Sequence, residues 1–370
     1  MNLEVVDSAL ARIREYLESR NQRSFGITLH GGEPTLWPLS SFEHFFKGVS
    51  NLRKQQCNIE VNLQTNAFRK LDRELLSLCA THNVSLGVSL DGPASYNDTV
   101  RKDHRGDGSY DRVMETIQDI VAQGFQDLLG GFLTVANPAI PPKEYLPWIR
   151  SLPVSRVDVL WPIQFNHRWP PWKAYKMDEE AYRQQPVVGS WLANLFEEWW
   201  REDDPGLYIR LFFDIIKVLN GSRHHIDSLV NDTHDMIVIN TDGSIEYSDY
   251  LRASGDGACA TSYSVASNAL AELEIDPVFR YLLELGTHLP AACKTCSFRH
   301  PCGGGFLPGR MMPGERSPRY RSVLCHDQFH FFHRVHKLLG LPMRGLPMSP
   351  SFESETYPGT PALMNVASAA

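Results

Sequence analysis

The chain has 370 residues, with 36 basic against 43 acidic side chains, a net charge of −7 and 42% hydrophobic residues. That is apolar material for about two domains at roughly 150 residues each. No window of about 18 uncharged apolar residues offers a membrane span. The start has no basic segment followed by an apolar one, as a secretory signal would, and no stripe of Lys and Arg invites nucleic acid. The expectation is a cytoplasmic chain with neither a membrane nor a nucleic-acid partner.

Seven cysteines are unevenly placed: four lie between positions 293 and 325, whereas the first 250 residues hold only Cys57 and Cys79. Without a secretory signal, such clustering reads as a metal or cluster site rather than a disulfide framework.

In chain order, Leu3, Val6, Leu10, Ile13 and Leu17 recur at helical steps and predict an amphipathic helix. Short apolar runs follow at Phe25 to Leu29, Ile59 to Leu63, Val84 to Leu90, Leu128 to Val135 and Val157 to Trp161. Amphipathic stretches separate them, around Phe42 to Leu52, Leu71 to His82, Tyr110 to Ala122 and Tyr145 to Leu152. Strands alternating with helices imply parallel crossover units, in a barrel or open sheet with its chemistry at the carboxyl ends of the strands. After a Pro- and Trp-rich connection at 169–172, one long helix is predicted from about Glu179 to Glu202 and another around Leu211 to Leu219. Asp242-Gly243 then joins a hairpin between Met236 to Asn240 and Ile245 to Tyr247. The cysteine-bearing module runs from Ala258 to Gly340, and the last thirty residues, rich in Pro, Ser and Ala, read as a disordered tail. Expected domains are therefore 1–202 and 203–340, with the tail at 341–370.

The cysteine spacing is the most specific chemical signal. Cys293 and Cys296 form a C-x2-C knuckle, Cys302 follows, and Cys325 returns later. Four thiolates suit tetrahedral zinc or a [4Fe–4S] cluster, and spacing leaves both open. Cys57 and Cys79 read as core residues, since free Cys is among the most buried types; Cys259 fits either reading. A second constellation, His30-Gly31-Gly32-Glu33-Pro34, follows a strand directly. Two glycines there let a ligand approach the backbone, and Glu33 can accept from a ligand ammonium; a tight turn with a solvated Glu is the plain alternative. Gln64-Thr65-Asn66 and Ser89-Leu90-Asp91-Gly92-Pro93 end two further strands, Arg101 lies twelve residues beyond Ser89, and Ser109 is the expected cap of the next helix. Three polar strand ends on one rim point to a ligand site.

These residues, in this order, resemble the S-adenosylmethionine half of radical SAM enzymes, and the Cys293/Cys296/Cys302/Cys325 module resembles their SPASM domain. The resemblance covers roughly residues 1 to 340 and is nearest to peptide-modifying members, the anaerobic sulfatase maturases and the cyclophane-forming maturases of ribosomal peptides. It implies an α/β fold: a partial (β/α)6 radical SAM barrel missing its first strand, followed by a SPASM-like auxiliary iron–sulfur domain. It assigns Gly31, Gly32 and Glu33 to the methionine amino group, and Ser89 and Arg101 to ribose and carboxylate, with Asn66 and Asp91 nearby. A guanidinium for a carboxylate and acceptors for an ammonium fit the physics. The implied activity is modification of side chains in a ribosomally made precursor peptide or protein through a 5′-deoxyadenosyl radical, with a reductant protein as a further partner.

The chain departs from that pattern twice. It lacks the C-x3-C-x2-C motif whose thiolates hold the cleaving cluster, which in the family lies ahead of the helix that begins here. The expectation is a truncated N-terminus rather than a degenerate relative: the other positions are intact, and a sheet without its first strand exposes an edge. The radical SAM [4Fe–4S] cluster is then expected only with that segment restored, and the chain as given is expected not to cleave S-adenosylmethionine. Second, two positions that carry cysteines of the first auxiliary cluster in full SPASM modules read Ser248 and Phe306. One auxiliary [4Fe–4S] cluster is therefore expected, on Cys293, Cys296, Cys302 and Cys325. Asp249 matches the position of a proton-accepting Asp in sulfatase maturases; an ordinary strand-end carboxylate is its alternative. At the level of the whole chain, the alternative is a non-catalytic binding protein or partner subunit with a structural iron–sulfur or zinc site.

Overall fold

The computed structural model describes residues 1–222, 225–226, 229–230, 236–284, 288–312, 318 and 320–341. The tail expected at 341–370 lies, from 342 onward, outside the described residues. The first helix, α1 (Leu3–Arg20), starts where the Asn2 side chain accepts from the Val5 N–H and ends at Asn21 in the left-handed region. Val6, Leu10, Ile13 and Leu17 are buried as the periodicity predicts, whereas Leu3, in the first turn, stays exposed. Each buried aliphatic side chain contributes about 1.5–3 kcal/mol.

Six strands form one parallel sheet in sequential order: β1 (Ser24–Leu29), β2 (Asn58–Thr65), β3 (Ser85–Ser89), β4 (Leu129–Val135), β5 (Arg156–Leu160) and β6 (Tyr208–Ile209). The crossover helices include α2 (Leu39–Lys54), α3 (Arg73–Thr81), α4 (Ala94–Val100), α5 (Tyr110–Ala122) and α6 (Pro142–Ser151). Strand β2 shows why the sheet is a platform: Ile59, Val61 and Leu63 are buried, while Glu60 and Asn62 are exposed. Pairings Leu29↔Leu63 and Leu63↔Leu86 hold β1, β2 and β3 in parallel register, so their carboxyl ends lie along one rim. No helix of the described residues is long and apolar enough to cross a membrane.

Among the elements that differ from the sequence reading, three bear on the first half and its boundary. The helix predicted over 179–202 is two helices, Glu179–Gln184 and Val187–Glu202. Pro186 lacks the N–H that would continue the first and pushes Gln185 out of helical geometry, at φ −136° and ψ 69°. Strand β6 and helix α4 were not predicted: two residues show no periodicity, and α4 buries only Asn97. The sheet thus continues past residue 202.

Beyond the sheet, strands Ile237–Ile239, Ser244–Tyr247 and Ala260–Ser264 form a three-stranded antiparallel sheet, and the module ends in helix Cys325–Leu338. Contacts from α1 and from helix Val187–Glu202 tie it to the first half. From α1, Arg12 donates to the Val265 carbonyl at 2.9 Å, and Tyr16 donates to Glu274 at 2.9 Å. Helix Val187–Glu202 packs on helix Cys325–Leu338 so closely that a Cβ on Gly189 would lie 2.2 Å from the Asp327 carbonyl oxygen. Gly189 instead donates its N–H to the Asp327 carboxylate at 2.9 Å. Because the clash is with backbone, Gly189→Ala is expected to cost about 1–3 kcal/mol or more, read as a lower urea midpoint; an unchanged midpoint would contradict this close approach.

Candidate functional site at the strand ends and the cysteine module

The rim of β1, β2 and β3 is knit by side chains that turn back across it. Gly31 has φ +97°, and a Cβ on either Gly31 or Gly32 would meet nothing within 4 Å, so the backbone after β1 is open to a ligand. Glu33 follows and binds across the rim. Its Oε1 accepts from the Thr35 N–H at 3.1 Å, the Thr35 hydroxyl at 2.6 Å and the Thr65 hydroxyl at 2.8 Å. Its Oε2 accepts from the Asn66 N–H at 2.9 Å, which leaves that oxygen capacity for a further donor. Glu33 is therefore a tethered acceptor rather than a solvated turn residue.

At the next strand end, Gln64 donates to the Ser89 hydroxyl at 3.0 Å, passing over Gly87, where a Cβ would lie 2.1 Å from the Gln64 Oε1. Asp91 accepts from Arg101 Nε at 2.6 Å through one oxygen and from the Val135 N–H at 2.8 Å through the other. The carboxylate is mostly buried and the guanidinium one-third exposed, so Arg101 is aimed by the pair and still reaches solvent. Gly31, Gly32, Glu33 and Asn66 thus meet at one part of the rim, and Ser89, Asp91 and Arg101 at the next.

The sequence reading missed the residues that hold these groups. Thr35 and Thr65 fix Glu33; Asn97, fully buried, accepts from the Asp91 N–H at 3.0 Å and donates to Asp98 at 2.9 Å. Asn97 carries a faint signal, a polar residue at the one buried position of α4. Ser109 occupies the N-cap position of α5 but makes no capping bond; Asp98 accepts from the Tyr110 N–H at 2.9 Å in its place.

All seven cysteines of the chain, five of them in the C-terminal module, are free thiols. Cys293 and Cys302 lie in single-turn helices, Cys296 in the turn between them, and Cys325 opens the last helix. Gly303, Gly304 and Gly305 all have positive φ, of 59°, 85° and 76°, and wrap the chain around Cys302. Burial raises the Cys302 thiol well above its ordinary range, and the neighbouring Cys293, Cys325 and Cys296 raise it further. Burial likewise lifts Cys325, to about 12. Such thiols need a cation or cluster to hold them as thiolates. Among the described residues, no three His, Cys, Asp or Glu side chains gather in a geometry for one metal ion.

The first auxiliary position does not fit a cluster. Ser248 is fully buried and its hydroxyl has no partner among the described residues; Phe306 is buried with its ring 5.4 Å from that of Tyr250. Burial raises the Cys259 thiol to about 11, and it donates to the Ser248 carbonyl at 3.5 Å. Asp249, solvent-exposed, opens the 3-10 turn Asp249–Ser254 in this module. Cys79 is buried in α3 and Cys57 half-buried.

Residues 2–145 match the family model described as the Radical SAM superfamily. The chain is 23% identical over 336 residues to the serine-type anaerobic sulfatase-maturating enzyme of Bacteroides thetaiotaomicron, covering 87% of this chain and 78% of that protein. It is 21% identical over 349 residues to the cysteine-type enzyme of Clostridium novyi, covering 90% and 85%. The solved structure of native anSMEcpe with bound AdoMet and Cp18Cys peptide superposes with a TM-score of 0.75 at 18% identity, over 92% of this chain and 90% of that one. Residues 2–145 thus match the Radical SAM superfamily, and the chain is similar in sequence to the anaerobic sulfatase-maturating enzymes and in fold to anSMEcpe.

Proposed function

We propose that this protein serves the radical modification of side chains in a ribosomally made peptide or protein, with S-adenosylmethionine at the β1–β3 rim and one [4Fe–4S] cluster on Cys293, Cys296, Cys302 and Cys325. The observation that carries this reading is the gathering of a backbone cradle, a tethered carboxylate and an aimed guanidinium on one rim. Gly31, Gly32 and Glu33 receive the ligand ammonium, and Arg101 its carboxylate. Ser89 takes the ribose, with Asn66 and Asp91 beside it. S-adenosylmethionine supplies the hydrogen-abstracting chemistry of this superfamily, and the chain supplies position and shielding.

This reading takes the four thiols as ligands of a cluster rather than of zinc, since a four-iron cluster takes each thiolate at a separate corner and does not require convergence on one ion. Cys293, Cys296, Cys302 and Cys325 would hold this cluster, which would supply an electron-accepting centre, and Asp249, exposed, is a candidate acceptor for the substrate proton. Free thiols fit a cytoplasmic setting, where a reductant protein is at hand. The 370 residues contain no C-x3-C-x2-C motif, so by itself this chain binds S-adenosylmethionine without cleaving it. That same feature favours a second reading, a non-catalytic binding partner on the same site.

Anaerobic reconstitution with iron and sulfide is expected to give about four irons per chain, lost in Cys296→Ser/Cys325→Ser; zinc without iron would overturn the cluster. Calorimetric titration is expected to show S-adenosylmethionine binding that weakens about tenfold or more in Arg101→Gln, the range of a charged hydrogen bond; equal affinity would remove Arg101 from the site. Adding dithionite and S-adenosylmethionine to the reconstituted chain should leave 5′-deoxyadenosine at background, and turnover would show that its cysteines suffice for cleavage.

A further inference from the structure

Arg310 ends the 3-10 turn Leu307–Arg310 and is only 1% exposed. Its Nη2 donates to the His288 carbonyl at 2.7 Å. Nε and Nη1 are buried and have no hydrogen-bond partner among the described residues. A guanidinium keeps its charge at any pH a protein meets, and burying an ion costs several kcal/mol when nothing balances it. Arg321 nearby is different: it lies 3.6 Å from the Glu179 carboxylate.

The position of Arg310 shows what could balance it. Its Nη1 lies 3.3 Å, and its Cζ 3.5 Å, from the point a Cβ on Gly304 would occupy, so the guanidinium rests on the turn that follows Cys302. It is also within electrostatic reach of Cys293. Two donors and a permanent charge, shut away from water, thus lie against the turn that follows Cys302 and within electrostatic reach of Cys293.

We propose that Arg310 is the counter-charge of the cysteine site, a positioning residue whose guanidinium balances the anionic thiolate-bound cluster and raises its reduction potential. This rests on the cluster reading given above. Four thiolates leave a [4Fe–4S] cluster with net negative charge, and reduction adds one more electron, so a neighbouring cation stabilises the reduced form more than the oxidised one. The planar, weakly hydrated guanidinium suits this place better than an ammonium, since it offers several donors in a fixed fork.

The test uses the full chain, without cluster and anaerobically reconstituted, as wild type, Arg310→Gln and Arg310→Lys. Without cluster, Arg310→Gln removes an unbalanced buried charge and is expected to unfold in urea no earlier than wild type. A lower midpoint in this state would assign Arg310 a merely structural role and overturn the proposal. With cluster, redox titration followed by absorbance and electron paramagnetic resonance is expected to show a more negative midpoint potential in Arg310→Gln, and a smaller shift in Arg310→Lys. Failure of Arg310→Gln alone to retain iron would equally support the counter-charge. An unchanged potential in Arg310→Gln at full iron content would overturn it, as would loss of the cluster from both variants alike. Wild type that takes up no iron would instead overturn the cluster reading itself, and is told apart because no substitution is involved.

Discussion

The close contact of Gly189 with Asp327 is the constraint on which the two halves of this molecule depend. A helix that packs backbone to backbone on another admits no side chain at the contact, and Gly189 meets that condition. The Asp327 carboxylate, shut away from water, accepts from the Gly189 N–H and from the Tyr182 hydroxyl, and burial still pushes its carboxyl up to about 7. Asp327 lies two residues after Cys325, so the site of the fourth thiol is set by a helix belonging to the other half. The break at Pro186 serves the same seam, because it lets Tyr182 and Gly189 approach one carboxylate from two separate helices.

Much of the sheet was legible because its strands bury apolar residues at alternate positions, as β2 does with Ile59, Val61 and Leu63, and amphipathic helices divide them. The boundaries of α5 coincide with the sequence reading, Tyr110 to Ala122, since its apolar face is strictly periodic. What escaped was structure held by something other than an apolar face. Helix α4 is organised by Asn97, whose amide reaches Asp91 six positions earlier, and β6 exists because β5 offers it an edge. The helix over 179–202 was overextended because amphipathic periodicity continues across Pro186 while the backbone cannot.

The candidate site was legible in its ligand-facing residues and not in their supports. A Gly-Gly-Glu after a strand, or a polar strand end, announces itself in one short segment. The hydrogen bonds from Thr65 to Glu33, and from Val135 to Asp91, join segments far apart in sequence and are known only once the sheet has formed. Arg310 shows a similar limit: its composition is that of any surface arginine, and only its burial beside Gly304 makes it unusual.

The tether on Glu33 also has a thermodynamic meaning. Three donors on Oε1 and one on Oε2 hold this carboxylate in a single orientation before any ligand arrives. The rotamer entropy of a glutamate is therefore lost on folding and not on association. A cationic group arriving beside Gly31 and Gly32 finds its acceptor already immobile, so more of each interaction formed there appears as affinity, and selection among ligands falls to shape and charge at the rim.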